Sequence, residues 1–289
     1  MKYEVLQRSH YKYSLPVKQS INQCIFKPLS TPNQHVLNYE LIIKPWTKHY
    51  NHNDYWGNEV SSFYLWEAHD ELVVETQSLL EIDYPFPEVK MTEEMDAIMK
   101  SAAFRGEFAE FLMPTSYTML KKEMLEYILN DLGEKDADTY LFLQKLNEYI
   151  YTNFSYVPGA TDVKTVAYEV VEKRSGVCQD FSHVMLGICR HVGIPARYVS
   201  GYIYGGEDAA MRGDSQTHAW VEVYIPKHGW IGFDPTNNMM ALNQHIRVAT
   251  GRDYADITPL KGMYIGNTAQ ELEVSISVSK VKDEDKICC

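Results

Sequence analysis

Apolar and polar residues alternate with a period of two in several short stretches of the first 86 residues. In QHVLNYELII the alternating apolar positions are Leu37, Tyr39, Leu41 and Ile43. Such alternation is typical of a strand that buries one of its two faces. Prolines and a Trp-Gly-Asn turn signal separate these stretches, as expected between neighbouring strands. The pattern predicts an antiparallel β-rich domain over residues 1–86.

The period lengthens to that of a helix after Pro87. The segment TEEMDAIMKSAAFRGEFAEFL opens with Thr92, a residue suited to cap a helix, and continues with first-turn acids and good helix formers. We interpret residues 87–135 as a helical connector. A second helical period follows in DADTYLFLQKLNEYIYTNF, and TVAYEVVEKRSG predicts a shorter helix that ends at Gly176.

The remaining pattern predicts one more helix followed by strands. From Cys178 to Val192 the apolar residues mark one helical face, and Gly193 with Pro195 provides the stop signal. The segments ARYVSGYIYG, THAWVEVYI and GWIGFDPTNN are rich in aromatic and β-branched residues, and the last two are joined as a hairpin. Alternation over residues 271–278 predicts a final half-exposed strand. Together these elements predict an α+β core over residues 136–289.

Composition limits the partners and the compartment of the protein. The chain has 289 residues, of which 45% are hydrophobic, and this is enough for a sizeable core. Its 27 basic and 39 acidic residues leave no basic surface for a nucleic acid backbone or an anionic membrane. The N-terminus lacks the apolar run of a signal peptide, and no stretch is apolar enough to span a membrane. Five scattered cysteines fit a reducing compartment, so we expect a cytoplasmic protein.

The segment RSGVCQDFSHVM places Cys178 in the first turn of a predicted helix. Unpaired amide N–H groups and the helix dipole both favour a thiolate at this position. A thiolate nucleophile needs a histidine base that is oriented by a third group. His183 lies about 140° around the same helix and points to another face, whereas His191 and His228 are explained by a helix end and a turn tip. His218 is therefore the best candidate for the base.

Asp234 is the candidate for the third group, because it lies on the hairpin partner of the strand that carries His218. If Ile225 pairs with Gly229 across a three-residue turn, Asp234 falls on the same face as His218, one diagonal step away. Diagonal neighbours are roughly 7–8 Å apart, which is within reach of two polar side chains. A two-residue turn would place the acid on the other face unless a bulge restores the parity. The hypothesis therefore requires a three-residue turn or a bulge.

The sequence contexts of these three residues resemble a known family. GVCQD at Cys178, HAWVEVY at His218 and GWIGFDPTNN at Asp234 are similar to the bacterial transglutaminase-like enzymes, which are often described as cysteine proteases with a papain-like Cys, His, Asp triad. YKYSLPV and GNEVSSF resemble the N-terminal β-domain of that family, and GRDYADITPLKGMYIG resembles the segment after its catalytic hairpin. The resemblance implies an N-terminal antiparallel β-domain, a helical connector, and a papain-like core whose helix presents the cysteine to an antiparallel sheet.

The resemblance and the chemistry together predict thiol-dependent acyl transfer on a peptide or protein substrate, without a cofactor. Cys178 would attack an amide carbonyl, His218 would take the thiol proton, and Asp234 would orient the imidazole. The backbone N–H of Cys178 would donate to the oxyanion at the helix start. Gln179 and Tyr156 are the candidates for a second oxyanion donor.

Other residues near the predicted site have a structural and a functional interpretation. Trp220, two positions from His218, is either a core residue or a platform for substrate. Arg197 and Tyr202 either line the cleft or close it. Asp180 is explained as an acid in the first helical turn. The remaining cysteines lack a catalytic context: Cys24, Cys189, Cys288 and Cys289.

The identity of the group that attacks the thioester is left open by the sequence. Water would make the protein a protease or amidase, and a lysine amine would make it a crosslinking transglutaminase. Hydrolysis is favoured because nothing in the sequence indicates an amine tunnel. The alternatives are an acyltransferase with a thioester donor such as acetyl-CoA, and a catalytically silent binding protein on this fold. The long spacings between Cys178, His218 and Asp234 predict no metal site, and the oligomeric state is not indicated.

Overall fold

The computed structural model describes residues 1–133, 138–206, 211–212 and 217–281. Within these ranges the chain forms seven helices and fifteen strands in a mixed α+β fold, which confirms the predicted fold class. The boundary predicted between residues 135 and 136 lies outside the described residues, and so do Cys288 and Cys289. Among the helices of the described ranges, none combines the length and the apolar character needed to cross a membrane.

Six strands form within the first 86 residues. They are β1 (Lys2–Val17), β2 (Ser20–Cys24), β3 (Gln34–Lys44), β4 (His49–Asn53), β5 (Glu59–Leu65) and β6 (His69–Ile82). Their mutual pairings are antiparallel, as the alternating pattern predicted. The predicted turn between β4 and β5 contains Gly57 at a φ of 85°, a conformation that glycine adopts without strain.

The connector is built from four short helices. They are α1 (Glu93–Lys100), α2 (Ala102–Glu107), α3 (Ala109–Leu112) and α4 (Lys122–Leu132). The side chain of Thr92 accepts from the backbone N–H of Met95 and caps α1, as predicted. The chain does not continue as one helix because the side chain of Ser101 accepts from the N–H of Phe104 and starts a new one.

The core follows the connector: its three helices come first along the chain, with two short strands between them, and the strands of its sheet come after. Its elements are α5 (Thr139–Asn153), β7 (Ser155–Tyr156), α6 (Ala167–Lys173), β8 (Ser175–Gly176), α7 (Cys178–His191), β9 (Ala196–Ile203), β10 (Thr217–Ile225), β11 (Gly229–Asp234), β12 (Met239–Met240) and β13 (His245–Gly251). The sheet has the order β12-β11-β10-β9-β13. The apolar face of α7 shares one buried cluster with Val221 and Val223 of β10. The helix thereby presents its N-terminal residue, Cys178, beside the sheet.

One predicted helix end is wrong. The sequence placed the end of α6 at Gly176, but the helix ends at Lys173 and Arg174 caps it in the left-handed conformation, with φ 52°. Gly176 instead belongs to the short strand β8, which pairs in parallel with β7. The glycine is needed for close packing and not for a helix cap.

The last two strands return to the first domain. They are β14 (Leu260–Tyr264) and β15 (Gln270–Lys280), and they pair with β2 and β1. The alternation therefore predicted the strand β15 correctly. The pairing of β15 with β1 was not predicted, because residues 136–289 were assigned to the core. The period of a strand shows which face is buried and not which neighbour it pairs with.

Glu222 on β10 binds two arginines, and one of them, Arg247, connects the core sheet to residues of the N-terminal part of the chain. Its Oε2 accepts from Arg197 Nη2 at 2.6 Å and its Oε1 accepts from Arg247 Nε at 2.5 Å. The Arg247 guanidinium lies 3.9 Å from the centre of the Tyr84 ring. The backbone N–H of Arg247 donates to Gln34 Oε1 at 2.9 Å. Burial alone would raise the pKa of Glu222, but the two guanidinium groups outweigh it and lower the pKa to about 2.

Candidate active site

Cys178 is the first residue of α7, and Asp180 fixes the turn before it. Asp180 Oδ2 accepts from the backbone N–H of Val177 at 2.8 Å and from the Thr161 hydroxyl at 2.6 Å. Gly176 provides the space for this contact, since a Cβ there would lie 2.7 Å from Asp180 Oδ2. The predicted first-turn position of Asp180 is confirmed, and its carboxylate links the helix start to the loop that contains Thr161.

The hairpin of β10 and β11 brings His218 and Asp234 together. Ile225 pairs with Gly229, so the turn has three residues, 226–228, as the parity argument required. His218 Nε2 lies 2.8 Å from Asp234 Oδ2, and both side chains are fully buried. The histidine–carboxylate contact inferred from the register is therefore present in the structure.

Cys178 and His218 both line a cleft of about 260 Å³. The Cys178 side chain is almost buried, and its Sγ lies 4.0 Å from the carbonyl oxygen of Thr217, the neighbour of His218. His218 Nδ1 has no hydrogen-bond partner among the described residues, whereas Nε2 is bound to Asp234. Nδ1 is therefore the ring nitrogen that is available to the thiol.

The charge state of His218 is controlled by Asp234. Burial disfavours the imidazolium, but the charge and the hydrogen bond of Asp234, with a smaller contribution from Cys178, outweigh this effect and raise the pKa of His218 to about 10. In the opposite direction, the two neighbouring imidazoles outweigh burial and hold the pKa of Asp234 below its usual range. The pair is thus an imidazolium and a carboxylate near neutral pH.

Asp234 accepts five hydrogen bonds. Its Oδ2 accepts hydrogen bonds from His218 Nε2 at 2.8 Å, from Asn237 Nδ2 at 2.9 Å and from His245 Nε2 at 3.0 Å. Its Oδ1 receives the backbone N–H groups of Thr236 at 2.9 Å and of Asn237 at 3.3 Å. A carboxylate can only accept, so both imidazoles must carry a proton on Nε2. In its neutral form His218 therefore has an unprotonated Nδ1, as a general base for Cys178 requires.

His245 is a site residue that the sequence analysis missed. It is the first residue of β13, a strand that was not predicted, and its ring packs edge-on against Trp220 at 5.0 Å between centroids. Burial lowers the pKa of His245, which keeps this imidazole a neutral donor to Asp234. A signal was available in HIRVATG, where Ile246, Val248 and Thr250 alternate shortly after Asp234.

Comparisons with known proteins identify the family of the chain. Residues 127–235 match the family described as the transglutaminase-like superfamily, and residues 3–81 match the bacterial transglutaminase-like N-terminal region. An uncharacterized protein of Mycobacterium leprae is 32% identical over 279 residues, which cover 96% of this chain and 98% of that protein. The chain belongs to the transglutaminase-like superfamily.

Two further similarities concern the core and the fold of this transglutaminase-like protein. A protein-glutamine gamma-glutamyltransferase of Pseudomonas aeruginosa is 36% identical over 98 residues, which are 32% of this chain and 14% of that protein. A crystal structure of a Cytophaga hutchinsonii protein, proposed to be a cysteine protease, superposes with a TM-score of 0.73 at 24% identity and covers 98% of this chain and 92% of that one. The second similarity shows that the fold is shared over both domains.

The candidates for a second oxyanion donor in this transglutaminase-like protein both lie at the cleft. Tyr156 lines it and packs edge-on against Phe181, with 6.4 Å between ring centroids. Gln179 also lines it, but its amide Nε2 donates to the carbonyl oxygen of Val163 at 3.2 Å. The Gln179 amide therefore holds the loop of Val163 in this structure and does not point freely into the cleft.

Three other predicted residues do not line the cleft. Arg197 is bound to Glu222 through its guanidinium, and Tyr202 is buried within the sheet. Trp220 is fully buried and stacks on His218, with 6.1 Å between ring centroids. Trp220 therefore packs in the core and does not line the cleft.

His218, Asp234 and His245 also form a group of three potential metal ligands. Among the described residues, it is the group of this kind whose ligand atoms lie within 4.8 Å of one another. The two nitrogens lie 2.8 and 3.0 Å from one carboxylate oxygen, which are hydrogen-bond lengths. Two donors that each lie about 2 Å from a tetrahedral zinc ion would be roughly 3.3 Å apart, which is longer than these contacts. The cluster fits a hydrogen-bonded network better than a coordination sphere, and elemental analysis of the purified protein tests this.

Proposed function

We propose that this transglutaminase-like protein is a thiol-dependent acyl-transfer enzyme that hydrolyses amide bonds of peptides or proteins. The observation that supports the proposal is the buried His218–Asp234 contact of 2.8 Å, with the free Nδ1 of His218 next to Cys178 at the start of α7. In this proposal Cys178 is the nucleophile, His218 is the general base and acid, and Asp234 orients the imidazole.

The first half of the reaction forms a thioester. In the active form the thiol proton of Cys178 already resides on Nδ1 of His218, and the thiolate Sγ attacks the amide carbonyl carbon. The negative charge on the carbonyl oxygen is stabilised by the backbone N–H of Cys178, which has no intrahelical acceptor at the first position of α7. The imidazolium then gives its proton to the leaving amine, the C–N bond breaks and the thioester remains.

The second half releases the acid. His218, neutral after it has protonated the amine, takes a proton from a water molecule as the water oxygen attacks the thioester carbonyl, and Cys178 leaves as a thiolate, which restores the ion pair with the imidazolium. Water can reach this position because the cleft is bordered by the exposed residues Pro158, Gly159 and Asp162. This exposure favours hydrolysis over transfer to a second amine, and neither half of the cycle needs a cofactor.

The partners and the location belong to the same proposal. We expect a peptide or protein substrate, no nucleic acid and no membrane, because the net charge is −12. A nucleophilic cysteine must stay reduced, and this favours the cytoplasm. Cell fractionation with an antibody to the protein tests the location.

The reaction type is tested by mass spectrometry of a mixed peptide pool incubated with the reduced protein, with and without a primary amine. We expect cleaved or deamidated peptides in the wild type and none with Cys178→Ala, because the thioester cannot form without Sγ. The matched control is Cys189→Ala, which removes a fully buried thiol of the same helix outside the cleft.

Each outcome of the peptide experiment has a defined meaning. Products that carry the added amine would show acyl transfer to an amine, in line with the name protein-glutamine gamma-glutamyltransferase of the Pseudomonas aeruginosa relative. Products that persist in Cys178→Ala would exclude the thiol mechanism. An unchanged pool in every sample would favour the binding-protein alternative.

His245 is expected to act as a positioning residue for Asp234. His245→Leu removes one N–H donor from a buried carboxylate, and a hydrogen bond to a charged group is worth roughly 1.5–3 kcal/mol, so kcat should fall about 10- to 100-fold with KM unchanged. His245→Gln places an amide N–H near the same position and should retain most of the activity. Steady-state kinetics on a peptide from the pool measures both.

A purely structural role of His245 makes a different prediction. It would lower the melting temperature of both variants and leave kcat per folded molecule unchanged. Equal losses of kcat in His245→Gln and His245→Leu would likewise rule out positioning through the N–H donor.

A further inference from the structure

A second cavity, of about 410 Å³, adjoins the cleft of Cys178 and lies between the two domains. We call it the inter-domain groove. Three residues line both spaces: Thr217, Tyr254 and Pro259. The carbonyl oxygen of Thr217 lies 4.0 Å from Cys178 Sγ. The groove therefore begins next to the thiol, within the span of one or two residues of an extended peptide.

The floor of the groove is an incompletely covered part of the inner face of β1 and β15. Ser9 pairs with Val274, and Tyr11 pairs with Leu272, so the side chains of each pair project from the same face. Ser9 is 4% exposed, whereas Val274 is 45% and Leu272 is 49% exposed. Ile276, on the same face of β15, is only 8% exposed. The described residues thus cover one end of this face and leave the end beside the cleft open.

The lining of the groove is apolar or polar without charge. No Asp, Glu, Lys, Arg or His side chain of the described residues lines it. Its buried polar groups satisfy one another, since Gln7 Nε2 donates to Ser9 Oγ at 2.8 Å and the Thr76 hydroxyl donates to Gln7 Oε1 at 3.3 Å. A charged ligand group would lose its hydration here without gaining a partner, so the groove selects against charge.

We infer that the inter-domain groove is a subsite for an apolar side chain that flanks the reacting amide of the substrate. The inference rests on the proposed function and specifies its substrate class as peptides with a leucine-, methionine- or phenylalanine-like residue near that amide. The volume lies within the range of sites that bind small molecules. Burial of one such side chain in place of glycine should strengthen binding about 10- to 100-fold.

Alkylation of Cys178 by iodoacetamide, followed by peptide mapping in a mass spectrometer, reports occupancy without turnover. The two probes are acetyl-Ser-Leu-Gln-Leu-Ser-amide and acetyl-Ser-Gly-Gln-Gly-Ser-amide, which differ only in the residues beside the central amide. We expect the leucine peptide to protect Cys178 at a concentration about 10- to 100-fold lower than the glycine peptide does.

Val274→Trp tests whether the groove is the origin of the preference. The larger side chain would narrow the groove at its floor, so both peptides should protect Cys178 of the variant equally weakly, with each rate expressed relative to that of the same variant without peptide. Ser275→Trp is the matched control, because it adds the same side chain at the next position of β15, which is exposed on the opposite face. It should behave as the wild type does.

Two results would overturn the inference. One is equal protection by the two peptides in the wild type, and the other is an undiminished leucine preference in Val274→Trp. The peptide-pool experiment tests the proposed function separately, because that function fails if no peptide is turned over. Protection of the thiol from alkylation requires binding alone.

Discussion

Asp234→Asn should lower kcat/KM about ten-thousand-fold, the loss found when a triad histidine is held in the wrong tautomer. The two oxygens of Asp234 receive five donors, from His218, His245, Thr236 and Asn237. An asparagine has the same shape, but its amide nitrogen donates and must face some of these donors. His218 then carries its proton on Nδ1, where it cannot accept the thiol proton of Cys178.

Kinetics on a peptide from the pool measures this loss, and Asp256→Asn provides the comparison. Asp256 is bound to Arg252 through both carboxylate oxygens and does not line the cleft. Its substitution should leave kcat/KM within a factor of about two, because it removes no group that orients His218. A loss of similar size in both variants would show that the effect of Asp234→Asn is one of stability.

The pH profile identifies the cause of the loss. In the proposed mechanism the active form pairs a thiolate with the imidazolium of His218, whose pKa is raised to about 10, mainly by Asp234 acting against burial. The alkaline limb of kcat/KM should therefore lie near pH 10 in the wild type, where the imidazolium loses its proton. Without the negative charge this limb should move down, to about 6.5 or lower. An alkaline limb that stays near pH 10 in Asp234→Asn would assign it to another group.

Glu222→Gln should lower the free energy of unfolding by about 3–5 kcal/mol, as expected when one partner of a buried ion pair is removed. Glu222 is 1% exposed, and the change leaves the guanidinium groups of Arg197 and Arg247 without their counter-charge. Urea denaturation followed by circular dichroism measures the effect. Glu75→Gln is the control, since Glu75 pairs with Arg8 and Lys44 at the surface and should contribute at most about 1 kcal/mol.

The same carboxylate predicts the acid stability of the fold. The pKa of Glu222 is lowered from 4.5 to about 2 in the folded state, so its stabilising contribution is complete above about pH 4.5 and is lost as the pH falls through 2. Between these values the wild type should lose stability more steeply than Glu222→Gln. Urea midpoints at pH 7, 5 and 3 test this. Parallel losses in the two proteins would exclude Glu222 as a source of the acid sensitivity.

The hairpin shows which part of the site can be predicted from the sequence. The spacing of Ile225, Gly229 and Asp234 fixes the parity of two paired strands, and parity alone places the carboxylate on the face of His218. The position of Cys178 follows in the same way from the start of a helix that ends at a clear stop signal. Local rules therefore suffice where the partners are joined by a short turn.

The contacts that were not predicted depend on which strands pair, on single capping contacts or on the course of a loop. His245 meets Asp234 only because β13 adds to β9 at the far edge of the sheet. The break at Ser101 and the early end of α6 at Lys173 are decided by single capping contacts. The engagement of Gln179 with Val163 depends on the course of a loop. Periodicity can reveal β13 as a strand, but it encodes neither the edge at which that strand pairs nor the capping and loop contacts.

The return of the last strand to the first one sets the order in which the molecule can be completed during its synthesis. Tyr3 pairs with Lys280, so the ribosome delivers β15 after both strands of the catalytic hairpin. Such distant pairings are slow to form, because the loop-closure entropy is lost before the contacts are made. A nascent chain therefore contains the thiol, the imidazole and the carboxylate before it contains β15, which forms one wall of the inter-domain groove. In the proposed function, the groups for the chemistry are synthesised before the wall that would select the substrate.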